Sequence, residues 1–489
     1  MSSKLQQIAK EESSMKRTEN GAFAYNTTDN SLVDLFAIIG ALRPRTESEI
    51  RDKFANAFNQ DALLATKMLF YAGNIRGGLG ERRTFRICLE WLANNYPSIV
   101  EKNIGAIPLF NRWDSIFVLI GTPCESYMWK FVYEQIVEDW SNYKNKKSIS
   151  LLAKWMPSEN ASSKTTKAVA DQLRTALGLS HRDYRKMLSF LRSKINIVEK
   201  LMSENRWDEI EFDKIPSKAG MNYKNAFARR DILAKKYEAF AKDKDTKVNA
   251  KTLYPYDIAH QAFYCKMDDE VNREMIQKFW DNLPDYYNGR VENSIAIVDV
   301  SGSMYGRPLE AAVSLGAYVA EHSKGLFANH FITFSSNPQL VKFEGTDIVD
   351  KFRRAETANW GGTTNIEKTM NLLLETAIKN EVPSSEMPTT LYIFSDMEFD
   401  QASVDLRVKN QTTFFESMRK IWATYGYTLP KVIFWNLDAR SQNIPALGRE
   451  FSYVSGLSPV MIETILGGKD GYDLMIAKLV QSGRYDCIH

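Results

Sequence analysis

A chain of 489 residues, 44% of them apolar, can bury an extensive core and by length divides into about two to four domains. Its four cysteines, Cys88, Cys124, Cys265 and Cys487, are not spaced for a zinc ribbon or a disulfide framework, and no apolar run approaches the roughly 18 residues that span a bilayer. A reduced, cytoplasmic setting without a membrane is therefore expected.

The net charge of +3 conceals an asymmetry: residues 1–290 carry 45 Lys and Arg against 37 Asp and Glu, and the remainder carries 18 against 23. Between Lys144 and Lys235, 20 basic residues face 10 acidic ones. Such an excess attracts polyanions, nucleic acid above all, although well-solvated helix faces would give the same count.

Up to about residue 288 the apolar residues recur at intervals of three and four, as in Tyr184, Met187, Leu188, Leu191 and Ile195. That spacing predicts an all-helical half. Breaks at Gly77-Gly78-Leu79-Gly80, Tyr96-Pro97, Thr122-Pro123, Met156-Pro157 and Ile215-Pro216-Ser217 suggest stacked helix pairs, a HEAT-like array without a strict repeat period. The run Arg76 to Glu81 follows a helical pattern, not a strand, so it reads as a helix-to-helix turn and not a phosphate loop. Trp113, Trp155 and Trp207 sit among apolar neighbours and are read as anchors of helix packing. On the helix around Tyr184, the cations Arg182, Arg185, Lys186 and Arg192 fall away from the apolar stripe, and Lys164, Lys167 and Arg174 extend that basic strip. It is the predicted RNA-binding surface, with exposed aromatics able to stack on unpaired bases.

A turn-rich linker, Asp281 to Gly289, precedes short apolar strands that alternate with amphipathic helices. Strands are expected over 294–300, 330–334, 390–395, 431–436 and 451–455, and helices over 308–323, 366–378 and 414–425. The near-continuous apolar run Ile295-Ala296-Ile297-Val298 belongs inside a parallel sheet covered on both faces. The predicted layout is thus a helical domain, residues 1–288, and a doubly wound Rossmann-like α/β domain, residues 289–489.

Ligands of such sheets bind beyond the carboxyl ends of the strands. Asp299-Val300-Ser301-Gly302-Ser303 offers one carboxylate and two hydroxyls there, Gly361-Gly362-Thr363-Thr364-Asn365 a threonine hydroxyl, and Ser395-Asp396 a second carboxylate. This all-oxygen set suits Mg²⁺ or Mn²⁺ and leaves a position open for water or an acidic group. None of the five histidines pairs with a nucleophile, and no hydrolase, zincin or phosphate-loop motif is present, so the site is expected to bind and not to catalyse.

Asp299, Ser301 and Ser303 match the Asp-x-Ser-x-Ser signature, and this half resembles von Willebrand factor A domains. The resemblance implies a metal held by Asp299, Ser301, Ser303, Thr364 and Asp396, with Thr363 a close competitor of Thr364 for the helix-start position. Met397 departs from the pattern by following Asp396 where the family places a glycine. A helical array before such a domain resembles the Ro (TROVE) ribonucleoproteins. Closer still is a plant, fungal and viral family known only as a domain of unknown function and similar to Ro in layout. The phrases that carry this resemblance include Glu19-Asn20-Gly21-Ala22, Asn74 to Arg82, Arg112-Trp113-Asp114, Ala153-Lys154-Trp155-Met156-Pro157-Ser158, Tyr184 to Leu188 and Phe394-Ser395-Asp396-Met397. It implies a non-enzymatic, Ro-like RNA-binding ribonucleoprotein whose metal site recruits an acidic protein partner. The alternative is a metal-dependent protein adaptor, or a virion or assembly component, without a nucleic-acid role.

Overall fold

Ser294–Asp299 carries four consecutive apolar residues, which are stable as a strand only where both faces of a sheet are covered. The computed structural model describes residues 15–195, 197–334, 337–357, 365–400, 414–448, 450–466 and 471–489. Its strands are β1 (Met15–Arg17), β2 (Phe23–Tyr25), β3 (Ser294–Asp299), β4 (His330–Phe334), β5 (Leu340–Lys342), β6 (Thr390–Ser395), β7 (Lys431–Asn436) and β8 (Phe451–Ser455). The last six form one sheet in the order β5-β4-β3-β6-β7-β8. All its pairings are parallel except that of β4 with β5. Every residue of β3 and β6 is buried, as the apolar runs require.

The helix Arg307–His322 lies against β3, β4 and β6, and the helices Ser31–Ile38 and Gly471–Ile476 lie against β8. Residues that precede the sheet by some 250 positions in the chain therefore help to cover it. The change from helices to alternating strands and helices falls where the sequence places it, except that the antiparallel pair β1 and β2 lies in the half expected to be all-helical, and compactness divides the chain otherwise. One unit comprises Met1–Asp61 with Glu238–Ser482, and the other comprises Ala62–Tyr237 with Gly483–His489.

In the second unit the helices Ala62–Gly73 and Arg82–Asn95 pack together across the glycine-rich turn. A side chain at Gly78 would stand 2.1 Å from the carbonyl oxygen of Tyr71, so the turn closes only around glycine. Asn74 accepts from the N–H groups of Arg76 and Gly77 and donates to the Tyr485 hydroxyl at 3.0 Å. The run thus serves as the expected helix-to-helix turn. No helix among the described residues is long and apolar enough to cross a membrane.

In the first unit, Gly40 donates its N–H to Ser455 Oγ at 2.9 Å, and a Cβ placed there would lie 2.6 Å from the Ser455 carbonyl oxygen. Backbone must move to admit it. Gly40→Ala is therefore expected to destabilise the protein by about 1–3 kcal/mol, read as a lower midpoint in thermal or urea unfolding of the full chain. An unchanged midpoint would mean that helix Ser31–Ile38 is not held against β8 as described.

Candidate functional site

β3 and β6 are parallel neighbours with Val298 opposite Phe394, which brings Asp299 and Asp396 to the same end of the sheet. Both are fully buried. One oxygen of Asp299 accepts the N–H of Ser301 at 3.0 Å, and the other accepts the Ser395 hydroxyl at 2.6 Å. The hydroxyls of Ser301 and Ser303 stand 3.0 Å apart. Burial first, and then the charge of Asp396, push the Asp299 carboxyl far above the usual carboxylate range, while the bonds from Ser301 and Ser395 pull the other way.

Asp396 is held differently. It accepts the N–H of Glu398 at 3.2 Å and the Arg440 guanidinium. Burial alone would lower the Arg440 pKa, but Asp396 outweighs it and keeps the guanidinium firmly charged. Arg440 was not foreseen, although its place just beyond β7 is the next strand end in the sheet and so a position where ligands converge. Glu398 was also missed. It is buried, accepts the N–H of Glu19 at 2.8 Å and the Ser441 hydroxyl, and so ties the strand-end loop to the hairpin of β1 and β2. Thr18 donates to the Phe399 carbonyl at 2.6 Å in the same place. Met397, where the resemblance leads one to expect glycine, adopts the left-handed backbone that glycine favours, with φ of 66°. It is fixed there because its N–H donates to Ser395 Oγ at 3.0 Å and its carbonyl accepts from Asn443 at 3.0 Å.

Asp299, Ser301, Ser303 and Asp396 are thus brought together, whereas Thr364 and its competitor Thr363 lie outside the described residues. The donor set fits a hard cation, for it is all oxygen, and Asp299 is buried with hydroxyl and amide donors but no cationic side chain bonded to it among the described residues. Arg440 is the point of tension, because it already neutralises Asp396 and would compete with a metal for that carboxylate.

The basic strip divides. Lys164, Lys167, Arg182 and Lys186 are exposed and form no ion pair among the described residues. Arg185 is exposed but reaches Glu159 at 3.5 Å, and Arg174 bonds Asp171 at 2.7 Å and approaches Glu159 at 3.6 Å. Arg192 does not belong to the outer face. It donates to the carbonyls of Ala153 and Met156 and to Ser158 Oγ, and so anchors the turn that carries Trp155. Helical periodicity placed it off the apolar stripe, but a guanidinium can also turn inward to cap carbonyls. Trp113 and Trp207 are buried as expected. Trp155 is only half-buried and lines a groove of about 740 Å³ instead of anchoring the packing.

Two family descriptions match the chain. Residues 18–111 and 131–286 match a domain of unknown function (DUF2828), and residues 293–481 match another (DUF7788). The uncharacterized protein L728 of Acanthamoeba polyphaga mimivirus is 32% identical over 494 residues, covering 93% of this chain and 85% of that protein. Among solved structures, the Deinococcus radiodurans RO (RSR) protein aligns with 92% of this chain and 99% of its own, at 11% identity and a TM-score of 0.33.

Removing Arg440 would leave Asp396 buried without its counter-charge, which costs about 3–5 kcal/mol for a fully buried pair. The Arg440 side chain is 32% exposed, so solvent reduces this, and Arg440→Gln is expected to cost about 2 kcal/mol. Urea unfolding in metal-free buffer reads the loss; no loss would show that the ion pair does not form in solution.

Proposed function

The chain belongs to the DUF2828 family, and we propose that it is a non-enzymatic RNA-binding protein. In this reading its helical unit grips phosphates, and its strand-end oxygens take Mg²⁺ or Mn²⁺ and through it an acidic group of a protein partner. One observation carries the nucleic-acid half: Lys164, Lys167, Arg182 and Lys186, on the helices Lys164–Ala176 and His181–Lys194, are exposed without acidic partners among the described residues. Four unneutralised cations in one short stretch of fold are an electrostatic footprint for a polyanion. The metal half is supported by two buried carboxylates of which, among the described residues, only Asp396 has a cationic side chain bonded to it. A cation binding at Asp299 would relieve the repulsion between the pair, and a partner carboxylate would complete its shell.

A protein adaptor without RNA is the second reading. It is favoured by the helix Glu125–Lys144, which leaves Tyr127, Tyr133, Val137 and Trp140 exposed, an apolar surface suited to a protein partner.

Binding of a single-stranded oligoribonucleotide to the full chain is expected to weaken about 50-fold between 50 and 200 mM salt if four phosphates are neutralised. Reversing Lys164, Lys167, Arg182 and Lys186 to Glu should remove most of that binding. Indifference to the four reversals moves the surface elsewhere, and no binding at 50 mM salt leaves the adaptor reading.

For the metal, calorimetry at millimolar Mg²⁺ should show binding that Asp299→Ala abolishes and Arg440→Gln strengthens, since the competing guanidinium is gone. A flat titration of the wild-type protein would reduce the strand-end carboxylates to a structural ion-pair cluster.

A further inference from the structure

Asp114 and the run Lys154 to Ser158, far apart in the chain, meet at the groove in the helical unit. Asp114 accepts from Arg112 Nε at 2.9 Å and from Arg86 at 3.0 Å, so two guanidiniums share one carboxylate. Arg82 stands close enough for both to lower its own pKa after burial has done so. Arg192, on the wall, is compensated by carbonyl and hydroxyl oxygens and, among the described residues, by no carboxylate. Lys154 is neutralised by Glu199 at 3.2 Å. Among the described residues the groove's lining therefore carries more cationic side chains, Arg86, Lys154 and Arg192, than acidic ones, Asp114.

Its apolar side is aromatic. Half-buried Trp155 carries the Arg112 guanidinium 3.7 Å from its ring centroid, and Phe117 also lines the groove. The Trp155 turn is built rigidly, for the buried Tyr184 hydroxyl donates to the Pro157 carbonyl at 2.6 Å and Arg192 fixes its other carbonyls. A volume of about 740 Å³ admits a ligand of nucleotide size.

We propose that this groove binds a nucleoside phosphate, with the phosphate held by Arg86, which shares Asp114 with Arg112, and the base laid against Trp155 and Phe117. Resting on the reading above, it takes one nucleotide of a single-stranded RNA. Guanidinium forks match phosphate oxygens, and a flat ring beside them accepts any base without reading its edge. The outer cations then fasten the flanking phosphates, while the groove fixes one base.

Uridine 5′-monophosphate and a ten-residue oligouridylate are the probes, titrated by NMR and by fluorescence anisotropy against the full-length protein. Arg86→Gln, which keeps an amide for Asp114, and Trp155→Ala should each weaken both ligands about tenfold or more, and Trp155→Phe should restore most of the binding. If Trp155→Ala does not fold, Arg86→Gln and Trp155→Phe decide the matter. Equal binding of the mononucleotide by wild type and Arg86→Gln, or none by the wild type at millimolar concentration, overturns the groove. Oligouridylate binding that fails with the four surface reversals but ignores Arg86→Gln also overturns it while the RNA reading stands. Mononucleotide binding lost in Arg86→Gln without oligomer binding keeps the groove as a site for free nucleotides and removes the RNA reading.

Discussion

Two carboxylates buried at the ends of adjacent parallel strands repel each other, and water is not there to screen them. Desolvation costs a charged group several kcal/mol, so each must be matched by dipoles or a counter-charge. Much of the surrounding architecture answers that need. Ser301 and Ser395 aim donors at Asp299, and Arg440 reaches from the end of β7 to Asp396. Met397 accepts a left-handed backbone, at a cost of about 1–2 kcal/mol, because only that bend lets its N–H meet Ser395 while Glu398 meets Asp396. The N-terminal hairpin then closes over the loop by bonding Glu398 and Phe399. The donor set suits a metal for the same reason, since Asp299 has dipoles but, among the described residues, no cationic side chain bonded to it.

The sheet was legible because its signal is local. A parallel strand buried on both faces must be almost wholly apolar, and Ile295 to Val298 and Leu391 to Phe394 are. Asp299, Ser301, Ser303 and Asp396 were legible for a related reason, since strand ends are where a polar run abruptly replaces an apolar one. Arg440 and Glu398 were not, because their roles depend on partners 44 and 379 residues away. Nor does periodicity show that Ser31–Ile38 covers β8, since an amphipathic helix reads alike whichever sheet or helix receives its face.

Charge tells a similar story. A count of basic residues between Lys144 and Lys235 treats all of them as equal. Folding separates them into exposed cations, cations spent on Glu159 and Asp171, and Arg192, which is spent on carbonyls. The count overstates the outer face and overlooks Arg82, Arg86 and Arg112, which precede that segment but converge in space. Trp155 was placed in the packing for want of this knowledge: its apolar neighbours in sequence are not its neighbours in the groove.

The hairpin and the strand-end loop it covers are joined by a bond between Thr18 and Phe399, 381 residues apart, and in the other unit Asn74 waits for Tyr485 across 411. At a ribosomal speed of roughly 5–20 residues per second, each early segment stands without its partner for roughly 20–80 s. Throughout that interval the hairpin offers unpaired strand edges, and once made, Glu398 has the N–H of Glu19 as a donor only after the hairpin docks. Neither unit can be completed as it emerges. A chain so closed leaves both units unfinished until late in synthesis, and truncation near residue 480 would harm the unit that begins at Ala62.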